Sequence, residues 1–148
     1  MSSAVVARAA SLTPGLVAEV GRLVPQLSSS APAPTEEQLA EIIYSSTSVL
    51  FLARIPPEKA IVGMLTLVTY RIPTGLHAVI EDVVVDETRR GAGIGAALVA
   101  AALSEAEQRG ARNVDLTSRP SREAANRLYS KMGFMQRNTN VYRHSGPR

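Results

Sequence analysis

Apolar residues recur along this chain with two different periods, and the switches between them outline an α/β protein. Ala4–Ala9 is a short apolar run that predicts a first strand. Thr13-Pro14 reads as a helix N-cap followed by proline at the first helical position. Leu16, Val17, Val20, Leu23, Val24 and Leu27 then repeat at helical spacing and stop at a Ser/Pro/Ala loop, Ser28–Pro34. Thr35 with Gln38 three residues on is a capping-box signature, opening a second helix through Leu39, Ile42 and Ile43. Val49–Ala53 and Ile61–Tyr70 are rich in β-branched and apolar residues and predict strands, with a turn at Pro56–Lys59 between them.

The second half alternates. A loop with Pro73 and Gly75 leads into a strand at Ala78–Val85. Gly93–Arg109, rich in Ala and Leu, predicts a helix stopped by Gly110. Val114–Thr117 predicts a short strand, Ser121–Met132 a helix closed by Gly133, and Phe134–Arg137 with Val141–Arg143 a closing pair of strands. Neither a repeat nor a domain linker interrupts this order, and 148 residues suit one compact domain over 1–148.

Composition narrows the function. With 45% hydrophobic and 20% charged residues the chain reads as an ordinary globular protein, its core aliphatic because aromatics make up only 4% and Trp is absent. The net charge of +3 is scattered, and no Lys/Arg run exceeds two residues, so no stripe for nucleic acid is expected. A basic lining for a phosphorylated cofactor accounts for the excess. Without cysteine, disulfides, thiolate metal sites and cysteine nucleophiles are excluded. His77 and His144 lie far apart, so no metal is expected. The start, Met1–Arg8, lacks the pattern of a secretory signal, and no apolar run approaches the ~20 residues of a membrane span. No membrane partner is expected, and the expected setting is cytoplasmic.

Glycines at 91, 93 and 95 fall between the Ala78–Val85 strand and the next helix. Without Cβ atoms the backbone there can approach a phosphate closely, and the helix that follows adds its positive N-terminal end. Arg89 and Arg90 supply charge at the rim. No Gly-Lys-Ser/Thr follows, as a Walker loop would need, and the Gly-x-Gly-x-Gly spacing differs from the dinucleotide fingerprint.

The run Val83–Leu98 resembles motif A of the GNAT acetyltransferases, whose Arg/Gln-x-x-Gly-x-Gly/Ala pattern falls on Arg90, Gly93 and Gly95. Downstream, Ala125–Phe134 looks like motif B, with its Leu-Tyr-x-x-x-Gly-Phe ending. The two motifs and the element order around them span about residues 49–143. The resemblance implies a single-domain acyl-CoA N-acyltransferase fold: a mixed, mostly antiparallel central sheet flanked by about four helices.

It also implies roles. Backbone N–H groups of Arg90, Gly91, Ala92, Gly93, Ile94, Gly95 and Ala96 would hold the pyrophosphate of acetyl-coenzyme A, and Val83, Val84 and Val85 would pair with its pantetheine arm. Tyr129 would protonate the leaving thiolate. Many members carry Asn seven residues before that Tyr; here the position is Arg122, with Asn126 nearer, and both are candidates to meet the coenzyme. The reaction implied is direct attack of a primary amine, small-molecule or protein, in a ternary complex. Such attack needs a general base, for which Glu81 is the candidate and Asp82 its strand neighbour, expected to face the opposite side. Ser118, Arg119, Ser121 and Arg122, with Tyr70, Arg71 and His77, are candidates to line the acceptor cleft. Ile80–Val85 also looks like the corresponding strand of glucosamine-6-phosphate N-acetyltransferases, and a catalytically silent coenzyme-A-binding module is a further alternative. As in family dimers, the closing strands would pair or exchange between two subunits.

Overall fold

The computed structural model describes residues 4–147. The first three residues, part of the start read above for a signal, lie outside it. The chain divides at Thr117–Ser118 into two compact units.

The first unit is built on a five-stranded sheet, β1 (Val5–Arg8), β2 (Ser48–Arg54), β3 (Ile61–Ile72), β4 (Gly75–Val85) and β5 (Val114–Asp115), paired in chain order. β1 to β4 run antiparallel and β5 joins β4 in parallel, so the expectation of a mixed, mostly antiparallel sheet holds. Pro73 and Thr74 form a two-residue hairpin turn, which lets β3 and β4 extend further than their apolar cores suggest. Helices α1 (Pro14–Leu27) and α2 (Glu36–Ile43) start where the sequence places them. Thr13 Oγ1 accepts from Leu16 N–H at 3.1 Å. Thr35 and Gln38 cap each other reciprocally at 3.0 and 3.1 Å.

Leu16, Val20 and Leu23 of α1 and Leu39 and Ile43 of α2 cluster with Leu50, Leu52, Met64 and Val84 on one sheet face. α3 (Ile94–Gln108) covers the other, where Gly63 lies tightly against Ile94 and Leu98. A Cβ there would lie 3.0 Å from both Ile94 Cγ2 and Leu98 Cδ1, and 3.2 Å from the Val84 carbonyl.

The second unit carries α4 (Glu123–Lys131) and an irregular tail. The closing strands expected at Phe134–Arg137 and Val141–Arg143 do not form. A strand needs a ladder partner as well as a suitable composition. Here Met135, Val141 and Tyr142 are 85%, 74% and 88% exposed.

Gly63→Ala is expected to destabilise the protein by about 1–3 kcal/mol, the usual range for overpacking a tight contact. Denaturant unfolding against wild type measures it.

Candidate active site

At its β5 edge, β4 is paired only at Ala78 and Val79, opposite Val114 and Asp115. From Ile80 to Val85, β4 pairs with β3 but with no other strand among the described residues. One row of its N–H and C=O groups is therefore available to an extended ligand. Val83, Val84 and Val85 lie on this stretch, with Val84 buried in the α1/α2 core and the other two half-buried.

Beyond Val85, a single 3-10 turn (Glu87–Arg89) leads to Arg90, Gly91, Ala92 and Gly93. Gly91 has φ 88° and Gly93 has φ 75°, conformations costly for residues with a Cβ. A Cβ at either would meet nothing within 4 Å, so backbone conformation and not crowding calls for glycine, and the space beside them is open. Gly93 is the N-cap of α3 and no side chain caps that turn. The first N–H to find a carbonyl is that of Ala97, bonded to Gly93 O at 3.1 Å. The N–H groups of Ile94, Gly95 and Ala96 precede it at the positive end of a 15-residue helix and are directed out of it, an arrangement suited to an anion.

A carboxylate that the sequence reading missed holds this loop. Asp86 is buried; its Oδ2 accepts from Arg22 of α1 at 2.7 Å, and its Oδ1 from the N–H and hydroxyl of Thr88 at 3.1 and 3.0 Å. Arg22 also donates to the Ile61 carbonyl at 2.7 Å, and Gln26 accepts from Glu87 N–H at 2.8 Å. The Arg22 guanidinium first, then the Thr88 N–H, lower the Asp86 pKa to about 2. The Asp-x-Thr turn was legible in sequence; Arg22, 64 residues away, was not. Of the two rim arginines, Arg89 is committed to an ion pair with Glu58, and Arg90 is exposed and has no ion pair among the described residues.

Glu81 lies opposite Thr66, on the α1/α2 side of the sheet, and is exposed. Simple alternation would send Asp82 to the other side. Instead β4 gains one residue here: Thr66 opposes Glu81, but Met64 opposes Val84, and Asp82 takes φ 53°. This β-bulge replaces the expected alternation and turns Val84 inward beside Met64. The expected cluster Tyr70, Arg71 and His77 is partly assembled. The Tyr70 and His77 rings stack at 5.8 Å, and His77 is held by Thr74 at 3.2 Å and Asn113 at 3.0 Å.

In the second unit, α4 ends on paired bonds, Phe134 N–H to Tyr129 O at 3.0 Å and Gly133 N–H to Ser130 O at 3.2 Å. That is a Schellman turn, with Gly133 at φ 94° and an edge-to-face contact of Phe134 with Tyr129 at 5.8 Å. It gives the Leu-Tyr-x-x-x-Gly-Phe pattern a structural reason. Tyr129 is buried, and burial raises its pKa, opposed by Arg122, so the phenol keeps its proton. Arg122 is the exposed N-cap residue of α4. Asn126 donates to the Arg119 carbonyl at 3.0 Å, which commits its amide nitrogen locally. Ser118 Oγ is buried without a hydrogen-bond partner among the described residues. Those residues hold no group of three His, Asp or Glu able to bind a metal, and no helix among them is long and apolar enough to cross a membrane.

The family model described as acetyltransferase (GNAT) family matches residues 22–134. Among solved structures, a putative acetyltransferase from Agrobacterium tumefaciens superposes with a TM-score of 0.81 at 24% identity, covering 95% of this chain and 99% of that one. A transcriptional regulator from Bacillus halodurans gives 0.79 at 25% identity, covering 96% and 99%. An aminoglycoside acetyltransferase from an uncultured soil metagenomic sample, in complex with sisomicin, gives 0.84 at 19% identity, covering 98% and 97%. A search of curated proteins gives no match.

Because the Asp86 pKa is lowered from 3.8, its ion pair stabilises the fold fully above pH ~4, and that share is lost as pH falls through about 2. Asp86→Asn should cost about 2 kcal/mol near neutrality, with the gap to wild type closing toward pH 2. Thermal melts across pH measure both.

Proposed function

The chain belongs to the acetyltransferase (GNAT) family, and on that footing we propose that it is a cytoplasmic N-acetyltransferase using acetyl-coenzyme A and an amine acceptor. The observation carrying the cofactor assignment is the set of outward N–H groups at Ile94, Gly95 and Ala96, beside open space at Gly91 and Gly93. These groups fit a pyrophosphate, and the singly paired stretch Val83–Val85 fits the amide-bearing arm that follows it. Acetyl-coenzyme A, when bound, supplies an acetyl group on an activated thioester and leaves as the thiol.

The chain's own groups handle the protons. An ammonium acceptor must lose a proton before its nitrogen can attack, and Glu81, exposed and free of any ion pair among the described residues, accepts it directly or through a water. Tyr129, kept protonated by burial, donates to the departing sulfur. Arg90 and Arg122, both exposed, add positive charge for the coenzyme's phosphates. Asn126 has its carbonyl oxygen left for the same ligand. Exchange of residues 134–143 between two copies would cover Met135, Val141 and Tyr142.

Calorimetric titration with acetyl-coenzyme A should show saturable binding that a Gly93→Glu/Gly95→Glu variant loses. No binding by folded wild type would return the loop to a plain structural turn, and binding without turnover over a broad amine panel would indicate a silent coenzyme-binding module. Tyr129→Phe should lower kcat by about 10–100-fold with little change in coenzyme affinity. Equal losses in both would argue against the proton-donor role.

A further inference from the structure

The segment between β4 and α3 divides at Arg90 into a tethered stalk and an untethered span. In the stalk, Asp86 donates its N–H to the Val62 carbonyl at 2.8 Å and accepts from Arg22 at 2.7 Å. Gln26 takes the Glu87 N–H at 2.8 Å, Thr88 donates to Asp86, and Arg89 pairs with Glu58. From Arg90 to Gly93 no side-chain hydrogen bond is made among the described residues. The chain is fixed again at Ile94, which is 1% exposed and packs beside Gly63.

Arg90–Gly93 therefore bridges two fixed points, and the start of β3 sets both. Ile61 O accepts from Arg22 at 2.7 Å, Val62 O accepts from Asp86, and Gly63 lies against Ile94 and Leu98. Arg22 closes this frame from α1, outside both motif-like segments. Its Nε donates to Glu19 at 2.9 Å, and its two terminal nitrogens donate to Asp86 and to Ile61 O. Three acceptors thus hold one planar fork in one orientation. Asp86 is buried, so removing the guanidinium strands a carboxylate that keeps only its Thr88 bonds or moves toward water. Either outcome loosens the stalk. The span with left-handed Gly91 and Gly93 must then be ordered by the ligand, at a cost in affinity.

We propose that Arg22 is a positioning residue for the acyl donor, presetting Arg90–Gly93 to receive the donor's pyrophosphate without touching it. α1 then tunes donor affinity from outside the glycine loop. The proposal rests on the acetyl-coenzyme A reading of that loop.

Calorimetric titration with coenzyme A should give Arg22→Ala a Kd about 10-fold or more above that of wild type. Arg22→Lys, whose single ammonium cannot serve Asp86, Ile61 and Glu19 together, should fall between the two. Adding Asp86→Asn to Arg22→Ala should weaken binding no further than the worse single change, because both act through one bond. Arg109→Ala is the structural control. It removes bonds to Glu105, the Ser46 carbonyl and Thr69 at the far end of α3, and should lower the melting temperature but leave coenzyme affinity unchanged. Hydrogen exchange in the free proteins should quicken over residues 87–93 in Arg22→Ala and not in Arg109→Ala. If Arg22→Ala does not fold, Arg22→Lys and Gln26→Ala, which frees the Glu87 N–H, carry the same comparison. Wild-type affinity in the folded Arg22 variants, or a loss no larger than that of Arg109→Ala, would overturn the proposal and leave the cofactor reading standing. No coenzyme binding by folded wild type would sink both.

Discussion

β4 is paired with β3 along nearly its whole length and with β5 at only two residues, and the candidate site is organised around that asymmetry. Pairing with β3 makes β4 rigid. On its other edge no strand among the described residues pairs with β4 beyond Val79, which leaves a fixed row of backbone donors and acceptors. A sheet edge inside a domain is ordinarily a liability, because it invites strand addition by another chain. Here the exposed row runs straight into the glycine loop and the N-terminus of α3, so that the two features on which the proposed cofactor assignment rests are continuous in the chain.

Two departures from regular structure keep that continuity usable. The bulge at Asp82 and Val83 inserts one residue, so that Glu81 stays on the open face while Val84 enters the core beside Met64. Asp86 then terminates the strand. Its bonds to Arg22 and Thr88 brace the first turn beyond β4 against α1, in a segment otherwise low in packing contacts and rich in glycine. A left-handed loop of this kind is conformationally costly. Its fixed shape comes from neighbours that are themselves anchored.

The second unit shows a local motif with a local cause. Gly133 takes the left-handed conformation that ends α4, and Phe134 folds back onto Tyr129. One turn thus both stops the helix and restrains the ring of the residue to which a proton-donor role is assigned.

Much of this was legible in the sequence. Capping residues Thr13 and Thr35, the helical repeats of α1 and α2 and the glycines of the 91–95 loop depend on interactions within a few residues, which order along the chain encodes directly, and the five strands were marked by their β-branched and apolar runs. The expected roles of Glu81 and Tyr129 came with the resemblance, and the structure shows only where each residue lies. Tertiary structure alone decided two things. The bulge at Asp82 depends on the register with β3, which no single strand's pattern reveals. The Arg22–Asp86 bond joins residues 64 positions apart. The closing strands failed for the complementary reason: residues 134–143 carry apolar positions suited to a strand, but a strand exists only where another chain segment supplies its hydrogen bonds.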